Sequence, residues 1–413
     1  MFKNENLYLF KFAWKSIRRN AGRSFFISFS VSLAVVIAVW VVSVFDGLNH
    51  MIEEAVVNTN TGFYQLQEPL YARTTDSSRP MKFTTEIRNK ISNKNITAFS
   101  PELVLDSNIS TPEGSAGLLA LGINPEMHSH LLPINKKLTS GEFLTDDDLN
   151  SVIIGQQLAK DFRYNVGDQI VLNYQDIQGE LRSELLTIKG IYHYNSNSFE
   201  KRFVYLNQRT WQKLYLNDDT GDTMFNRIVM LTPGLSSGKF IDSIFPADEL
   251  VVKTWKNLNP EMAVVLEFHD GIIRFFFLII GLTVTMTILT PVQMLWQERF
   301  KELKMLTILG ISAKKFWKIG IFEILQMIAL SSSLSIIVLV VVIGIQTKTG
   351  IDFRFLNQTG LAIERSGIKL PGIIYPLLTY SQIVMTFIFV VMVMSISYIW
   401  SIYRTLSRFK VEF

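Results

Sequence analysis

The chain of 413 residues contains no cysteine, and two motifs that mark common nucleotide and zinc sites are missing from it. Without cysteine it can form neither disulfides nor thiolate metal sites. It has no G-x-x-x-x-G-K-[ST] loop to hold nucleotide phosphates and no H-E-x-x-H zinc motif. We therefore expect no catalytic residue, no metal site and no cofactor bound by this chain.

Histidines are scarce, and only His128 and His130 lie close together among the five. On a strand, both side chains could face one way and bind a metal, but Glu126 is the only carboxylate near them. We interpret the pair as two surface histidines.

Charged residues are also few, at 18% of the chain, whereas 48% of the residues are hydrophobic. The apolar residues are concentrated in four uncharged runs of about 22 residues, each long enough as a helix to cross a hydrocarbon core of roughly 30 Å. Buried helices of soluble proteins rarely reach this length without a charge. The uncharged runs are 24–45, 275–296, 324–346 and 381–403. We predict transmembrane helices that contain them at 24–45, 274–296, 319–346 and 381–403.

Basic residues beside these runs orient them in the membrane. The segments 1–23, 297–318 and 404–413 must share one side, and the positive-inside rule assigns that side to the cytoplasm. The lysine and arginine residues concerned are Lys3, Lys11, Lys15, Arg18, Arg19, Arg23, Arg299, Lys301, Lys304, Lys314, Lys315, Lys318, Arg404, Arg408 and Lys410. We expect both termini inside and residues 46–273 and 347–380 outside, so the net charge of +4 requires no nucleic-acid partner.

The large outer segment 46–273 alternates strand-like and helical patterns, which predicts an α+β domain. We place an inserted β-rich subdomain at about 111–225, and we expect the flanking stretches 47–110 and 226–265 to fold together. Short helices are predicted near 84–93, 155–163, 208–215 and 236–244.

Two amphipathic helices are predicted on the cytoplasmic side. The segment 1–23 combines aromatic and basic faces and should lie flat on the membrane as an elbow helix. The segment 297–318 predicts a short helix with Phe300, Leu303 and Leu306 on its apolar face, ended by Gly310. Such a ridge predicts a protein partner that covers it, and the alternative is a helix resting on lipid headgroups.

This second segment also resembles a known signature, E-R-x-x-E-[IL]-x-x-L-x-x-L-G-x-S, of the FtsX-like ABC permeases, which include lipoprotein-releasing and macrolide-exporter types. The matching residues are Glu298, Arg299, Glu302, Leu303, Leu306, Leu309, Gly310 and Ser312. Residues 138–172 and 203–215 resemble two further motifs of the family's outer domain. The resemblance covers essentially the whole chain.

The resemblance implies a permease of a bacterial inner membrane with four spans and an outer domain made of a ferredoxin-like part and the inserted β-rich part. It implies a separate ABC ATPase dimer that holds ATP and Mg²⁺, and pairing with a second permease as a homodimer or heterodimer. ATP-driven closure would move the outer domains and act mechanically on substrate. The residues implied to form the ATPase-coupling helix are Glu298, Arg299, Phe300, Glu302, Leu303, Leu306, Leu309 and Gly310.

Further candidates lie near the membrane. Glu323 could pair with Lys318 and transmit motion, or it could extend to the interface without a functional role. Asp270 and Arg274, four residues apart, predict a helical ion pair. The resemblance suggests a set of substrate- or lipid-facing residues, namely Val41, Val42, Phe45, Ile273, Phe276 and Phe277.

The first functional hypothesis is extraction of lipoproteins or other lipidated substrates from the outer leaflet toward the periplasm or outer membrane. The alternatives are a signal relay that controls cell-wall hydrolases, and a drug or peptide exporter that works with a periplasmic adaptor. Relays of this family resemble shorter chains with a smaller outer domain, which favours a transporter. The hairpin at 174–181 is short and lacks the long hook by which one type of lipoprotein-releasing subunit recruits a periplasmic carrier.

Overall fold

The computed structural model contains two compact units, one made of residues 1–50, 266–355 and 372–413 and the other of residues 51–265 and 356–371. We refer to them as the helical unit and the outer unit. The structure describes residues 2–92, 96–112, 114–132, 134–194, 196–216, 222–232, 249–308, 313–352 and 372–411.

The helices follow each other in this chain order: α1 Phe2–Arg19, α2 Ala21–Val56, α3 Pro69–Thr74, α4 Thr85–Ile91, α5 Pro125–Leu131, α6 Gln156–Phe162, α7 Asn197–Arg202, α8 Gln208–Leu216, α9 Trp255–Leu258, α10 Pro260–Ile308, α11 Ala313–Thr349 and α12 Tyr380–Val411. A π-helical turn, Val57–Thr61, extends α2.

The strands are β1 Tyr64–Gln67, β2 Met81–Lys82, β3 Ala98–Thr111, β4 Gly114–Ile123, β5 Leu138–Gly141, β6 Ser151–Gly155, β7 Gln169–Gln175, β8 Leu181–Tyr192, β9 Phe203–Asn207, β10 Met224–Phe225, β11 Arg227–Leu231, β12 Val251–Thr254, β13 Ile351–Asp352 and β14 Ile373–Ile374.

Two of the predicted membrane spans lie in helices that are long and apolar enough to cross a membrane. Among the described residues these helices are Ala21–Thr59 and Lys318–Thr349. The predicted spans 274–296 and 381–403 lie within α10 and α12, and their crossing of the membrane stays a prediction.

The predicted short helix after residue 297 is wrong as a separate element. Residues 297–308 form the end of α10, which continues from Pro260 through Pro291 over 49 residues. The stretch from Val292 to Ile308 contains no glycine or proline and is rich in leucine, lysine and glutamate, so nothing in it ends a helix.

One face of α2 forms part of the hydrophobic core of the helical unit. Its buried side chains recur every three or four positions, as on a single helix face. They pack against buried residues such as Val292, Met327 and Met394 of other helices. Serines on this face leave room for close approach, and Ser28 lies 3.7 Å from the sulfur of Met327. The buried α2 residues include Ser24, Ile27, Ser28, Val31, Ser32, Val35, Val39 and Val42.

The first helix, α1, is separated from α2 at Asn20 and packs against α11. The Phe10 and Phe322 rings meet edge to face at 5.8 Å, and the Gln326 amide donates to the Phe10 carbonyl at 3.0 Å. Its helical form is confirmed, whereas its position on a membrane surface stays a prediction. The outward side carries the exposed aromatic residues Tyr8, Phe12 and Trp14.

The outer unit is built on one ten-stranded sheet, which confirms the α+β prediction. Its strand order is β12-β1-β11-β3-β4-β9-β6-β8-β5, and β7 pairs with β3 and β8. Strand β3 pairs with β11 at its start and with β4 and β7 farther along. Strand β3 thus pairs with strands of the flanking part and of the inserted part, and both parts share one sheet. The predicted subdomain boundaries at about 111 and 225 stay a prediction.

Helices α4, α6 and α8 confirm three of the four short helices predicted for this unit. The fourth, at 236–244, lies outside the described residues. The hairpin between β7 and β8 is short, because β7 ends at Gln175 and β8 begins at Leu181.

Candidate functional site

The predicted ATPase-coupling residues belong to the end of α10. Glu298, Arg299, Phe300, Glu302, Leu303 and Leu306 are helical, whereas Leu309 and Gly310 lie outside the described residues. Positions 300, 303 and 306 follow each other at intervals of three residues, so they lie toward one side of the helix. Their role in docking stays a prediction.

Glu323 lies on α11 and is buried, with 2% of its surface exposed. Its neighbours on α11, Phe322 and Gln326, contact α1. Lys318 is exposed, and its Nζ lies 3.5 Å from the Asn6 side-chain oxygen of α1. Burial of an ionisable residue inside a helical bundle is costly and typical of a functional position, so Glu323 remains a candidate for transmitting motion.

Two of the six residues expected to face lipid or substrate are buried instead. Val42 and Ile273 are 5% and 8% exposed, which corrects their assignment. Each lies on the face of its helix that packs inside the bundle, and an apolar residue does not reveal from sequence alone which way it faces. Phe276 is exposed, and Val41, Phe45 and Phe277 are half-buried.

The outer end of the helical unit holds contacts that sequence reasoning missed. Asn49 Oδ1 lies 2.9 Å from Nδ1 of His269, and the Leu377 amide donates to the Ser43 carbonyl at 2.8 Å. Gly47 allows this segment to approach, because a Cβ there would lie 2.1 Å from the Tyr375 carbonyl oxygen. A glycine that follows Asp46 and lies two residues before Asn49 in a largely apolar helix was the available signal.

The predicted ion pair between Asp270 and Arg274 is wrong. Both residues are exposed, and no ion pair joins them. Exposed pairs of this spacing contribute only a few tenths of a kcal/mol, roughly 0.2–0.5, which does not hold two flexible side chains together.

A buried charge cluster lies inside the outer unit. Arg227 of β11 is the direct cross-strand partner of Glu102 in β3, and its Nη2 and Nε lie 2.7 and 2.8 Å from Glu102 Oε2. On the other side, His128 Nδ1 lies 3.3 Å from Glu102 Oε1. Burial raises the pKa of Glu102, and the attraction of Arg227 and His128 lowers it by more, so the pKa lies below its usual range.

The expectation that both His128 and His130 lie on the surface is wrong for His128. They lie on helix α5, not on a strand, so residues two apart point in different directions. His128 is fully buried against the Tyr205 ring, and His130 is exposed.

The chain enters and leaves the sheet of the outer unit through two neighbouring strands. Strands β1 and β12 pair antiparallel, with Tyr64 opposite Thr254. Trp255, which follows β12, is fully buried. Its indole donates to the Glu53 side chain of α2 at 3.1 Å, and its amide donates to the carbonyl of Phe63, the residue before β1, at 3.1 Å. We call β1 and β12, together with Trp255, the strand pair. It links the end of α2 to the start of α10.

A comparison of the chain with known protein families finds a match. A family model described as the MacB-like periplasmic core domain matches residues 24–244, more than half of the chain. No curated protein sequence matches the chain.

Two solved structures are similar at low sequence identity. The periplasmic region of MacB from Actinobacillus actinomycetemcomitans is 13% identical, covers 51% of this chain and 95% of its own, and has a TM-score of 0.33. The extracellular domain of the noncanonic ABC-type transporter YknZ from Gram-positive bacteria is 12% identical, covers 43% of this chain and 87% of its own, and has a TM-score of 0.30.

The matched residues begin in α2 and end before β12, so they include the other strands of the ten-stranded sheet and, of the strand pair, β1 alone. The chain therefore belongs to the MacB-like family of ABC transporter permeases.

Proposed function

We propose that this chain is the permease subunit of an ATP-driven transporter of a bacterial inner membrane that extracts lipidated substrates, such as lipoproteins, from the outer leaflet. Family membership supports the transporter class. A separate ABC ATPase dimer would bind ATP and Mg²⁺, and a second permease subunit would complete the transporter. A periplasmic carrier or adaptor would receive the substrate.

The observation that carries the mechanical part of the proposal is the continuity of α10. This helix begins two residues after α9, which directly follows strand β12, and it ends in the predicted coupling residues. A helix of this length extends about 74 Å, and its backbone hydrogen bonds are internal except at its ends and at Pro291, which has no N–H to donate. Displacement of residues 298–308 by an ATPase would therefore be transmitted along the backbone to β12 and, through the strand pair, to β1.

A stripe of exposed apolar residues on α10 supports a lipidated substrate. Val264, Phe268 and Phe275 are 63%, 67% and 63% exposed, and their spacing places them on one helix face. Val264 and Phe268 precede the predicted span at 274–296, so lipid tails of the bilayer do not account for them. Exposed apolar surface of this kind marks an interaction site, and acyl chains are suitable occupants.

The variant Leu306→Asp tests the proposed ATPase partner. Affinity purification of the wild-type chain in mild detergent should retain an ABC ATPase. Placing a carboxylate on the predicted apolar ridge should remove most of the bound ATPase, because a buried unpaired charge is costly. The variant should still be found in the membrane.

The matched control is Lys301→Gln, which makes the same change of one charge unit on the predicted polar face. It should retain the ATPase at the wild-type level. Absence of any ATPase from the wild-type preparation would refute the proposal, and equal retention by Leu306→Asp and Lys301→Gln would show that the ridge rests on lipid.

A further inference from the structure

A cleft of about 370 Å³ lies within the outer unit, beside the strand pair. Its walls come from three places: the π-helical turn after α2, helix α7 with the start of β9, and the residues that join α9 to α10. The volume falls in the range of roughly 300–1,000 Å³ that is usual for small-molecule sites.

One wall of the cleft is apolar. The rings of Phe199 and Phe203 stack with their centroids 4.5 Å apart, and Val56, Leu258 and Met262 line the cleft with them. Aromatic and aliphatic side chains of this kind bind hydrocarbon, because burial of apolar surface is favourable.

Most polar groups in the cleft are already bonded within the chain. The Thr61 hydroxyl donates to the Val56 carbonyl at 3.1 Å, and the Ser196 hydroxyl accepts from the Phe199 amide at 3.4 Å. The Asn259 side chain donates to the Trp255 carbonyl at 3.1 Å. These groups hold the walls in place and leave little capacity for a polar ligand.

Arg202 differs from its charged neighbours on α7. Lys201 pairs with Asp161 at 2.7 Å, and Glu200 accepts from the Gln157 and Tyr194 amides. Arg202 lines the cleft, and within the part of the chain that the structure describes it forms no hydrogen bond and no ion pair within 4 Å. Its charge does act on Asp106, where it partly offsets the rise that burial causes in the pKa of that carboxyl. A guanidinium at the edge of an apolar wall suits a carboxylate or a phosphate.

We infer that this cleft binds an anionic amphiphile, with its carboxylate or phosphate at Arg202 and its hydrocarbon chain against Phe199, Phe203 and Met262. Identification of this amphiphile with a transported lipid rests on the proposed function, whereas the binding itself does not. Glu261 lines the cleft as well, and among the described residues no ion pair joins it to Arg202. Its carboxylate repels a purely anionic ligand and so limits the affinity.

Photolabelling of the full chain in lipid nanodiscs tests this inference. The probes are a dodecanoic acid that carries a diazirine and the methyl ester of the same molecule. Cross-links should map by mass spectrometry to residues 196–203 and 256–262. In Arg202→Gln the half-saturating concentration of the acid should rise roughly tenfold, which corresponds to about 1.4 kcal/mol, because the charged partner of the carboxylate is lost. Labelling by the ester should not change.

Three further variants sharpen the result. Arg209→Gln removes an exposed arginine outside the cleft and should leave labelling unchanged. Glu261→Gln should lower the half-saturating concentration of the acid. Ser198→Trp, introduced at an exposed cleft position, should block both probes.

Nanodiscs that contain a diazirine phosphatidylglycerol distinguish the two sources of the ligand. Labelling by this lipid indicates a membrane phospholipid, and labelling by the free acid alone indicates an amphiphile released from the bilayer. Both results support the inferred chemistry. Absence of cleft labelling from every probe, or equal acid affinity of Arg202→Gln and Arg209→Gln, would overturn it. The variant Leu306→Asp should be labelled by the probes as strongly as the wild type, because Leu306 does not line the cleft. Failure of ATPase binding and failure of cleft binding can therefore be distinguished.

Discussion

At the scale of single residues, Glu102 and Arg227 form a charge pair inside a sheet. The two residues are opposite each other in β3 and β11, and both are almost fully buried. Two charges removed from water stabilise a fold only when they are paired and hydrogen-bonded, and removal of one leaves the other without compensation. The cluster therefore ties β3 to β11 specifically.

We predict that Glu102→Gln destabilises the outer unit, because it leaves Arg227 buried and unpaired. The expected loss is about 3 kcal/mol of unfolding free energy, or roughly 6–12 °C in melting temperature for a domain of this size. The control is Glu126→Gln, which changes an exposed carboxylate on α5 and should melt like the wild type. Equal melting temperatures of the two variants would show that the pair contributes little.

The same pair predicts a dependence on pH. A carboxyl whose pKa is lower in the folded state than in the unfolded state contributes stability above its unfolded value, about 4.3 for glutamate, and loses it as the pH falls through the folded pKa. The difference in melting temperature between wild type and Glu102→Gln should therefore shrink as the pH falls below about 4.3. A difference that persists unchanged at pH 3.5 would contradict the pKa direction.

The sequence predicts the strands of the outer unit better than it predicts the contacts of the charged residues on those strands. The strand Arg227–Leu231 agrees with the strand-like patterns that predicted the α+β domain, but nothing in such a pattern pairs Arg227 with Glu102 across 125 positions. Cross-strand partners depend on register, which is a property of the folded sheet.

At the scale of elements, the main feature of this chain is its long, continuous helices. Apolar runs predicted the helices well, and glycine-poor stretches explain why α10 continues past its predicted end. The direction in which a residue faces was harder to predict. Val42 and Ile273 are buried because of bundle packing, and an all-apolar helix carries no polar side from which to infer this.

We predict that Gly47→Ala loosens the segment after β14. The new Cβ would meet the Tyr375 carbonyl oxygen at 2.1 Å, and a backbone clash of this kind requires one segment to move. Hydrogen exchange at the Leu377 amide, which donates to Ser43, should become faster.

A matched control lies on the same helix. Gly22 has open space at its Cβ position, so Gly22→Ala should not change exchange at Leu377 and should stabilise α2 by roughly 0.5–1 kcal/mol. Equal exchange in both variants would mean that Gly47 is not required for this contact.

At the scale of the whole molecule, the absence of cysteine makes the predicted topology directly testable. Single cysteines at Lys304, Lys348 and Leu181 can be labelled in intact spheroplasts with a maleimide that does not cross membranes. Four spans with the termini inside predict labelling at positions 181 and 348, and protection at position 304 until the membrane is opened. Labelling at position 304 in intact spheroplasts would contradict this topology.

The central claim is that ATP hydrolysis by a partner, received at the end of α10, removes a lipidated substrate from the membrane. The most direct test uses proteoliposomes that hold the purified complex and a fluorescent triacylated lipopeptide. We predict release that requires hydrolysable ATP, occurs in the wild type and in Lys301→Gln, and is lost in Leu306→Asp. Release that is independent of ATP, or its absence from a wild-type complex that hydrolyses ATP, would contradict the account.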